Sequence, residues 1–464
     1  MHVGKGRQAS EERCEGATMR EVTLRSQKRT SLSPETIRIQ HRLAEWTKSG
    51  RKHWDLYRWM MNPFVLCDAV KLVIGNKGSA GIDQITCQQI KGHEWEFAKG
   101  IAGKLRSGAY RARVVRRVYI PKRDGRERPL GIPTVEDRAI QRALVLLLEP
   151  IYELVFLPNS YGFRRGQSGV ECVSVTANEV YRHRWVLEAD IEGFFDSVSH
   201  RKLLGMLKEK IVDRRIHNLI QSFLLAGYVE RGKPWHPTWR GTPQGGPLSP
   251  MLANIYLHYA LDVRFQRHSM SGEKLIRYAD DFIIMSRQES SIRTLKGMLD
   301  AWMQEAGLKL KEAKTRIVNM SNHKRSRNSH FDFLGFRFHL RAFNDNPKRF
   351  WVARQPSERA RLALRKNLKS KLKPQLNPLQ AAIVVAEVWR GWCQYFRFGN
   401  SNRIFYRECR TVHKLVSYYL RDKYRQGRRP VRWKKLAGLE KRILRGIKPL
   451  RVIPNYLCQQ AVLV

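Results

Sequence analysis

The sequence is poor in acidic residues. Its 464 positions hold 41 Asp and Glu against 87 Lys and Arg, a formal net charge of +46. A compact chain charged so one-sidedly repels itself unless a polyanion offsets it, which points to nucleic acid, or less often an anionic membrane surface. An acidic-protein partner and a small-molecule metabolic role are disfavoured. Paired cysteines are also missing. Cys14, Cys67, Cys87, Cys172, Cys393, Cys409 and Cys458 are scattered without a CxxC. That argues against a structural zinc site and reads as reduced thiols in an intracellular, cytoplasmic protein. No apolar run approaches the roughly 18 residues of a membrane span, so no membrane insertion is expected. Glu11, Glu12, Glu15 and Glu21 interrupt the basic N-terminus, which has no apolar core. A signal or transit peptide is therefore not expected. No internal repeat is visible.

What is present argues for packed structure. Hydrophobic residues make up 42% and aromatics 10%, with 12 Trp, enough to build cores and exclude global disorder. At roughly 100–200 residues per domain, two to four domains are expected. Residues 1–33 read as a flexible basic arm, and 34–102 as a helical extension bearing Trp46, Trp54 and Trp59, with a glycine-rich loop at 75–81. From 103 to 340, short β-branched runs alternate with helical ones. Strands are expected near Val114–Ile120, stopped by Pro121, and at Trp185–Ile191; helices are expected at Asp137–Glu149 and Ser249–Asp262. Leu275–Tyr278 and Phe282–Met285 form a hairpin pattern. Past about 340 strand signals fade, and basic amphipathic stretches follow at 357–373, 379–396 and 403–425. Residues 341–464 hold 30 Lys and Arg against 6 Asp and Glu, about half of the net charge in about a quarter of the chain. The helical part is expected to span 355–430, with 431–464 expected as a basic nucleic-acid-binding segment.

The chemistry concentrates in a few acids. Asp280-Asp281 sits at the tip of the hairpin, where two adjacent carboxylates repel unless hydrated or bound to a cation. Alternation along Trp185–Ile191 sends Leu187, Ala189 and Ile191 to one face, and Glu188 and Asp190 to the other. Asp190 at that strand's end could join the hairpin tip. Three carboxylates on neighbouring strands suit a two-metal phosphoryl transfer with Mg²⁺, Mn²⁺ being the alternative. An isolated Ala-Asp-Asp would more simply be a solvated turn.

The motifs occur in an order that resembles the reverse transcriptases, most closely those encoded by group II introns. Lys77–Asp83, Tyr119–Lys122, Arg128–Pro133, Asn159–Arg164, Asp190–Asp196, Gly241–Pro250, Tyr278–Asp281, Gly307–Leu310 with Lys314-Thr315, Phe331–Phe336 and Arg390–Phe396 carry the resemblance across about 70–430. It implies an α+β right-hand polymerase, with fingers and an antiparallel-sheet palm, followed by an α-helical thumb or maturase domain. Asp190, Asp280 and Asp281 would be catalytic and bind two metal ions, with the Ile191 carbonyl as an extra ligand. Lys122 and Arg128 would hold the dNTP triphosphate, and Gln244 would face the nucleotide. Phe195 would reject a 2′-hydroxyl, while Phe194 reads as core. Phe333, Leu334 and Gly335 would form the primer grip. Arg390 and Trp392, with Trp433, Lys435, Arg442 and Arg445, would bind RNA.

The partners so implied are group II intron RNA, template–primer RNA/DNA and dNTPs, with a DNA target site as a further candidate. Many relatives end in a nuclease domain with paired cysteines and a His-Asn-His-type metal site. No such pattern follows residue 430, so second-strand cleavage is not expected. Two other readings compete: a non-enzymatic RNA-binding splicing factor, and a related polymerase of phage defence, spacer acquisition or template-directed diversification.

Overall fold

The computed structural model describes residues 32–121, 127–269, 272–320, 329–343, 346, 349–425 and 447–449. Most of the expected arm at 1–33 and of the basic segment at 431–464 falls outside them, as do Lys122, Trp433, Lys435, Arg442 and Arg445. Among the described residues no helix is long and apolar enough to cross a membrane.

A helical layer comes first. Helix α1 (Pro34–Lys48) starts at Ser33, whose hydroxyl accepts from the Thr36 amide. Helices α2 (Pro63–Gly75) and α3 (Glu94–Arg106) pack together, and α1 and α2 lie on α4 (Val135–Tyr152). Helix α4 outruns the stretch expected at 137–149 at both ends. Thr134 caps it by accepting from the Asp137 amide, and Pro150 is accommodated in its last turn. Strands β1 (Val115–Pro121) and β2 (Glu127–Ile132) form a hairpin between α3 and α4. Helix α5 (Gly169–Arg182) leads into β3 (Trp185–Asp190). The short β4 (Tyr228–Val229) and β5 (Trp235–His236) extend the first sheet to the order β2-β1-β4-β5, with β1 parallel to β4.

The central sheet sets the architecture. Helix α6 (Ser249–Leu257) runs into a π-helical turn at His258–Asp262, so the stretch expected to be helical at 249–262 is helical throughout. Strands β6 (Lys274–Tyr278) and β7 (Asp281–Ser286) follow as the expected hairpin. After α7 (Glu289–Ala306) comes β8 (Arg316–Asn319), giving the antiparallel order β6-β7-β3-β8. Strand alternation divides the sheet between two cores. Leu187, Ala189, Leu275, Phe282 and Ile284 join the helical layer, whereas Val186, Ile276, Ile283, Met285 and Val318 join the C-terminal half.

The C-terminal half begins with a third sheet of β9 (His330–Phe333), β10 (Phe336–Ala342) and β11 (Phe350–Pro356), in the order β11-β10-β9. Strand β11 corrects the expectation that strands end near 340. Its Phe350-Trp351-Val352 run takes register from β10, with Val352 opposite Leu340. Helices α8 (Glu358–Lys371), α9 (Pro378–Phe396) and α10 (Asn402–Arg425) follow, close to the three expected stretches. Ser357 caps α8, and Asn377 with Gln380 forms a capping box on α9. Fully buried Glu408 of α10 accepts both prongs of Arg365 from α8, at 2.7 and 2.8 Å.

Candidate active site

Two carboxylates meet by register. Strand β3 runs antiparallel to β7 so that Asp190 lies directly opposite Asp281. Tyr278 pairs with Asp281, which leaves Ala279 and Asp280 as a two-residue turn. Ala279 takes a left-handed φ of +57°. That conformation costs a non-glycine residue roughly 1 kcal/mol, so the surrounding structure must hold it. Its effect is to put Asp280 at the tip, one residue before Asp281.

The like charges are felt. Burial among the surrounding groups, then the charges of Asp280 and Asp190, push the Asp281 carboxyl up to about 6, against the pull of Lys314. Its residue surface is open to the cleft while protein groups crowd the carboxyl. Asp280 is also raised, first by burial and then by Asp190, with Arg128 and Lys314 opposing. Lys314 forms an ion pair with Asp190. The 307–314 segment is laced to the end of β3: the Lys311 amide donates to the Asp190 carbonyl at 2.8 Å, and Glu192 to Lys309 at 2.8 Å. Ile191 is buried and bridged to Leu310.

Among the described residues no three His, Cys, Asp or Glu side chains converge as a ready-made metal cage. The donor set nevertheless fits a hard divalent cation that completes its shell with substrate phosphate oxygens. Asp190, Asp280 and Asp281 are oxygen donors; burial, and after it mutual repulsion, raises the Asp280 and Asp281 carboxyls, and such an ion would offset both.

A second group of expected residues converges beside the first sheet. The Arg128 Nε donates to Gln244 Oε1 at 2.6 Å, across 116 residues. The Gly131 amide donates to the Gln244 carbonyl at 2.6 Å, which docks the 243–246 turn on the β1–β2 hairpin. Gly245 makes that approach feasible: its φ is +120°, and a Cβ there would stand 2.2 Å from the Gly131 oxygen. The Thr242 amide donates to the Phe195 carbonyl at 2.7 Å, so this turn adjoins Phe195. Phe194 is buried and Phe195 half-buried, their rings edge to face at 5.4 Å. His200 bonds the Gly241 carbonyl at 2.7 Å, a structural role.

The third group lies toward the helices. Phe333 pairs with Phe336, so Leu334 and Gly335 close a two-residue hairpin with φ of +50° and +81°. The Tyr395 hydroxyl donates to the Leu334 carbonyl at 2.9 Å, and the Ser357 amide to the Gly335 carbonyl at 2.9 Å. A cleft of about 1080 Å³ runs from Asp281 past Leu334 and Gly335 to Lys366, Lys371 and Trp392. Arg390 is exposed on α9. Trp392 is half-buried among Trp389, Phe396 and Phe405, so much of its surface serves packing. Sequence reading did not single out Lys314 as a site residue. Its only signal was membership of the Lys314-Thr315 motif, and its partner is 124 residues away.

Comparisons with known proteins agree with this layout. The reverse transcriptase (RNA-dependent DNA polymerase) family matches residues 120–338, and the group II intron maturase-specific domain matches 362–437. The group II intron-encoded protein LtrA of Lactococcus lactis subsp. cremoris is 41% identical over 221 residues, 46% of this chain and 37% of LtrA. The chain thus aligns with little more than a third of that relative. Protein YkfC of Escherichia coli (strain K12) is 30% identical over 367 residues, 70% of this chain and 93% of YkfC. The first family covers β2 through the first three residues of β10, including the central sheet, and the second covers most of α8 through α10. The central sheet is the palm of a right-hand polymerase, with a helical thumb after it. With both families matched in this order and YkfC spanned almost end to end, the chain belongs to the group II intron-encoded reverse transcriptase/maturase family.

Proposed function

We propose that this protein is an RNA-directed DNA polymerase that also acts as an intron maturase, binding group II intron RNA, assisting its splicing and copying RNA into cDNA. The observation that carries the polymerase reading is the register of Asp190 against Asp281, with Asp280 at the adjoining turn. Reverse transcriptases as a family are generally divalent-metal dependent. Here Asp190, Asp280 and Asp281 would hold two Mg²⁺ ions, with the Ile191 carbonyl as a further ligand. Bound there, the ions would supply an acidified primer hydroxyl and charge neutralisation on the leaving pyrophosphate.

The chain's own residues do the rest. Leu334 and Gly335 position the primer end, with the backbone of their turn held by Tyr395 and Ser357. The 3′-hydroxyl is then presented in line to the α-phosphate of a dNTP. Arg128, oriented by Gln244, faces the triphosphate, and Lys122 is assigned to the same task. Phe195 sets its ring against the sugar. Lys314 balances Asp190 before substrate arrives. The thumb cleft, with Lys366 and Lys371, takes the duplex, and Arg390 contacts RNA phosphate. The residues at 433–445 are assigned to RNA binding on sequence alone. A DNA target site is a further partner in this reading.

The deciding experiment is Asp280→Asn with two readouts. Primer extension on an RNA template is expected to fall below detection while intron RNA is bound as tightly as by the unaltered protein. Full extension by the variant would sink the site assignment. Splicing of the parent intron by the same variant measures how far the maturase role depends on the acids.

A further inference from the structure

Arginine 277 is fully buried in the face of β6 that looks into the helical layer's core. Such a charge needs a partner, and it has three. The Nε donates to Asp262 Oδ1 at 2.8 Å and one terminal nitrogen to Asp262 Oδ2 at 2.5 Å. The other terminal nitrogen donates to Asn254 Oδ1 at 3.0 Å and to the carbonyl of Ala279 at 3.0 Å. Ala279 is the left-handed residue of the turn that carries Asp280. Asp262 is itself fully buried and sits at the end of the π-helical turn, where one extra residue per turn re-aims the side chains that follow α6.

The turn is held on its far side as well. Asn254 of α6 donates from Nδ2 to the Gly162 carbonyl at 2.7 Å. Residues 159–161 add to the free edge of β6: the Arg277 amide donates to the Asn159 carbonyl at 2.9 Å, and the Tyr161 amide to the Arg277 carbonyl at 2.8 Å. Gly162 then lies flat against the turn, where a Cβ would come within 2.2 Å of the Ala279 nitrogen. The Asn159–Gly162 motif thereby acquires a physical task that the nucleotide and primer assignments leave unexplained.

We propose that Arg277, Asp262, Asn254 and Gly162 form a clamp that positions the Ala279–Asp280 turn, and through it the metal-binding face of Asp280 and Asp281. These are positioning residues; none touches substrate. The proposal rests on the polymerase reading for its functional consequence, while the clamp itself is a statement about the turn. Uncharged surroundings would serve stability as well as this ion pair does, since a buried pair exchanged for apolar residues of similar volume is often neutral or stabilising. What apolar residues cannot do is donate to the Ala279 carbonyl.

The test exploits that difference. The double variant Arg277→Met/Asp262→Leu is expected to fold and to bind RNA equally well, melting no more than a few degrees lower because the Ala279 carbonyl and Asn254 Oδ1 lose a donor. Hydrogen exchange at the amides of 278–281 should quicken at least tenfold. The Mn²⁺ concentration for half-maximal primer extension should rise at least fivefold, with kcat reduced tenfold or more. A folded double variant with unchanged exchange and unchanged Mn²⁺ demand overturns the clamp. Should the double variant not fold, Gly162→Ala, which presses the same turn without touching the ion pair, decides by the same two readings. The exchange measurement needs neither metal nor nucleotide. If the unaltered protein extends no primer, the polymerase reading fails, and exchange still judges the clamp.

Discussion

Phe194 and Phe195 are neighbours with different fates: one is core, the other half-open beside the turn that carries Gln244. A ring in the second position can exclude a sugar hydroxyl by contact alone. Phe195→Ala is therefore expected to raise ribonucleotide incorporation at least tenfold in single-nucleotide extension, with dNTP use reduced less. An unchanged ratio would assign sugar choice to another residue. At this scale the sequence shows acids better than bases. Asp190 stands out because strand alternation places it, and Asp280 and Asp281 because two adjacent carboxylates sit at a hairpin tip. Lys314 and Arg277 do not stand out, since one cation among 87 Lys and Arg carries no mark. Their partners lie 124 and 15 residues away, and the fold alone brings them together.

At the scale of elements, periodicity was informative wherever an element has one buried face. The three thumb helices could be read for that reason, whereas the β6–β7 hairpin, buried on both faces, showed as two short apolar runs around a tight turn. Strand β11 could not, because its pairing is decided by β10 and its flanks are basic. The π-helical turn was equally hidden, for the residues around 258–262 suit a regular helix too. The thumb offers its own test. Arg365→Met would leave the Glu408 carboxylate, fully buried, with only Arg361, at 3.7 Å, among the described residues. Removing one partner of a buried pair costs roughly 3 kcal/mol, because the other is left uncompensated. A urea midpoint lowered to that extent, followed by tryptophan fluorescence, is expected. A loss below about 1 kcal/mol would mean that Arg361 alone satisfies the acid.

For the whole molecule the charge of +46 is the governing quantity, and it predicts a salt dependence. If six to ten phosphates are contacted, counterion release should weaken RNA binding on the order of 10³-fold between 50 and 200 mM salt. Filter binding at several salt concentrations checks this, and a change of less than tenfold would contradict an electrostatic grip. Composition revealed this much before any element was placed. It could not reveal that the palm sheet is shared between two cores, because that depends on which helices cover each face.

The sharing has a mechanical outcome. Strand β3 is a party wall, with Leu187 facing one room and Val186 the other. The acids stand at the wall's exposed end and bear none of its weight. On the proposed polymerase reading, changing three carboxylates would erase the chemistry, with both rooms left standing and the thumb still held up for RNA. A fault in the wall's masonry, at Leu187 or Val186, would bring down the proposed copying site and the proposed RNA grip together.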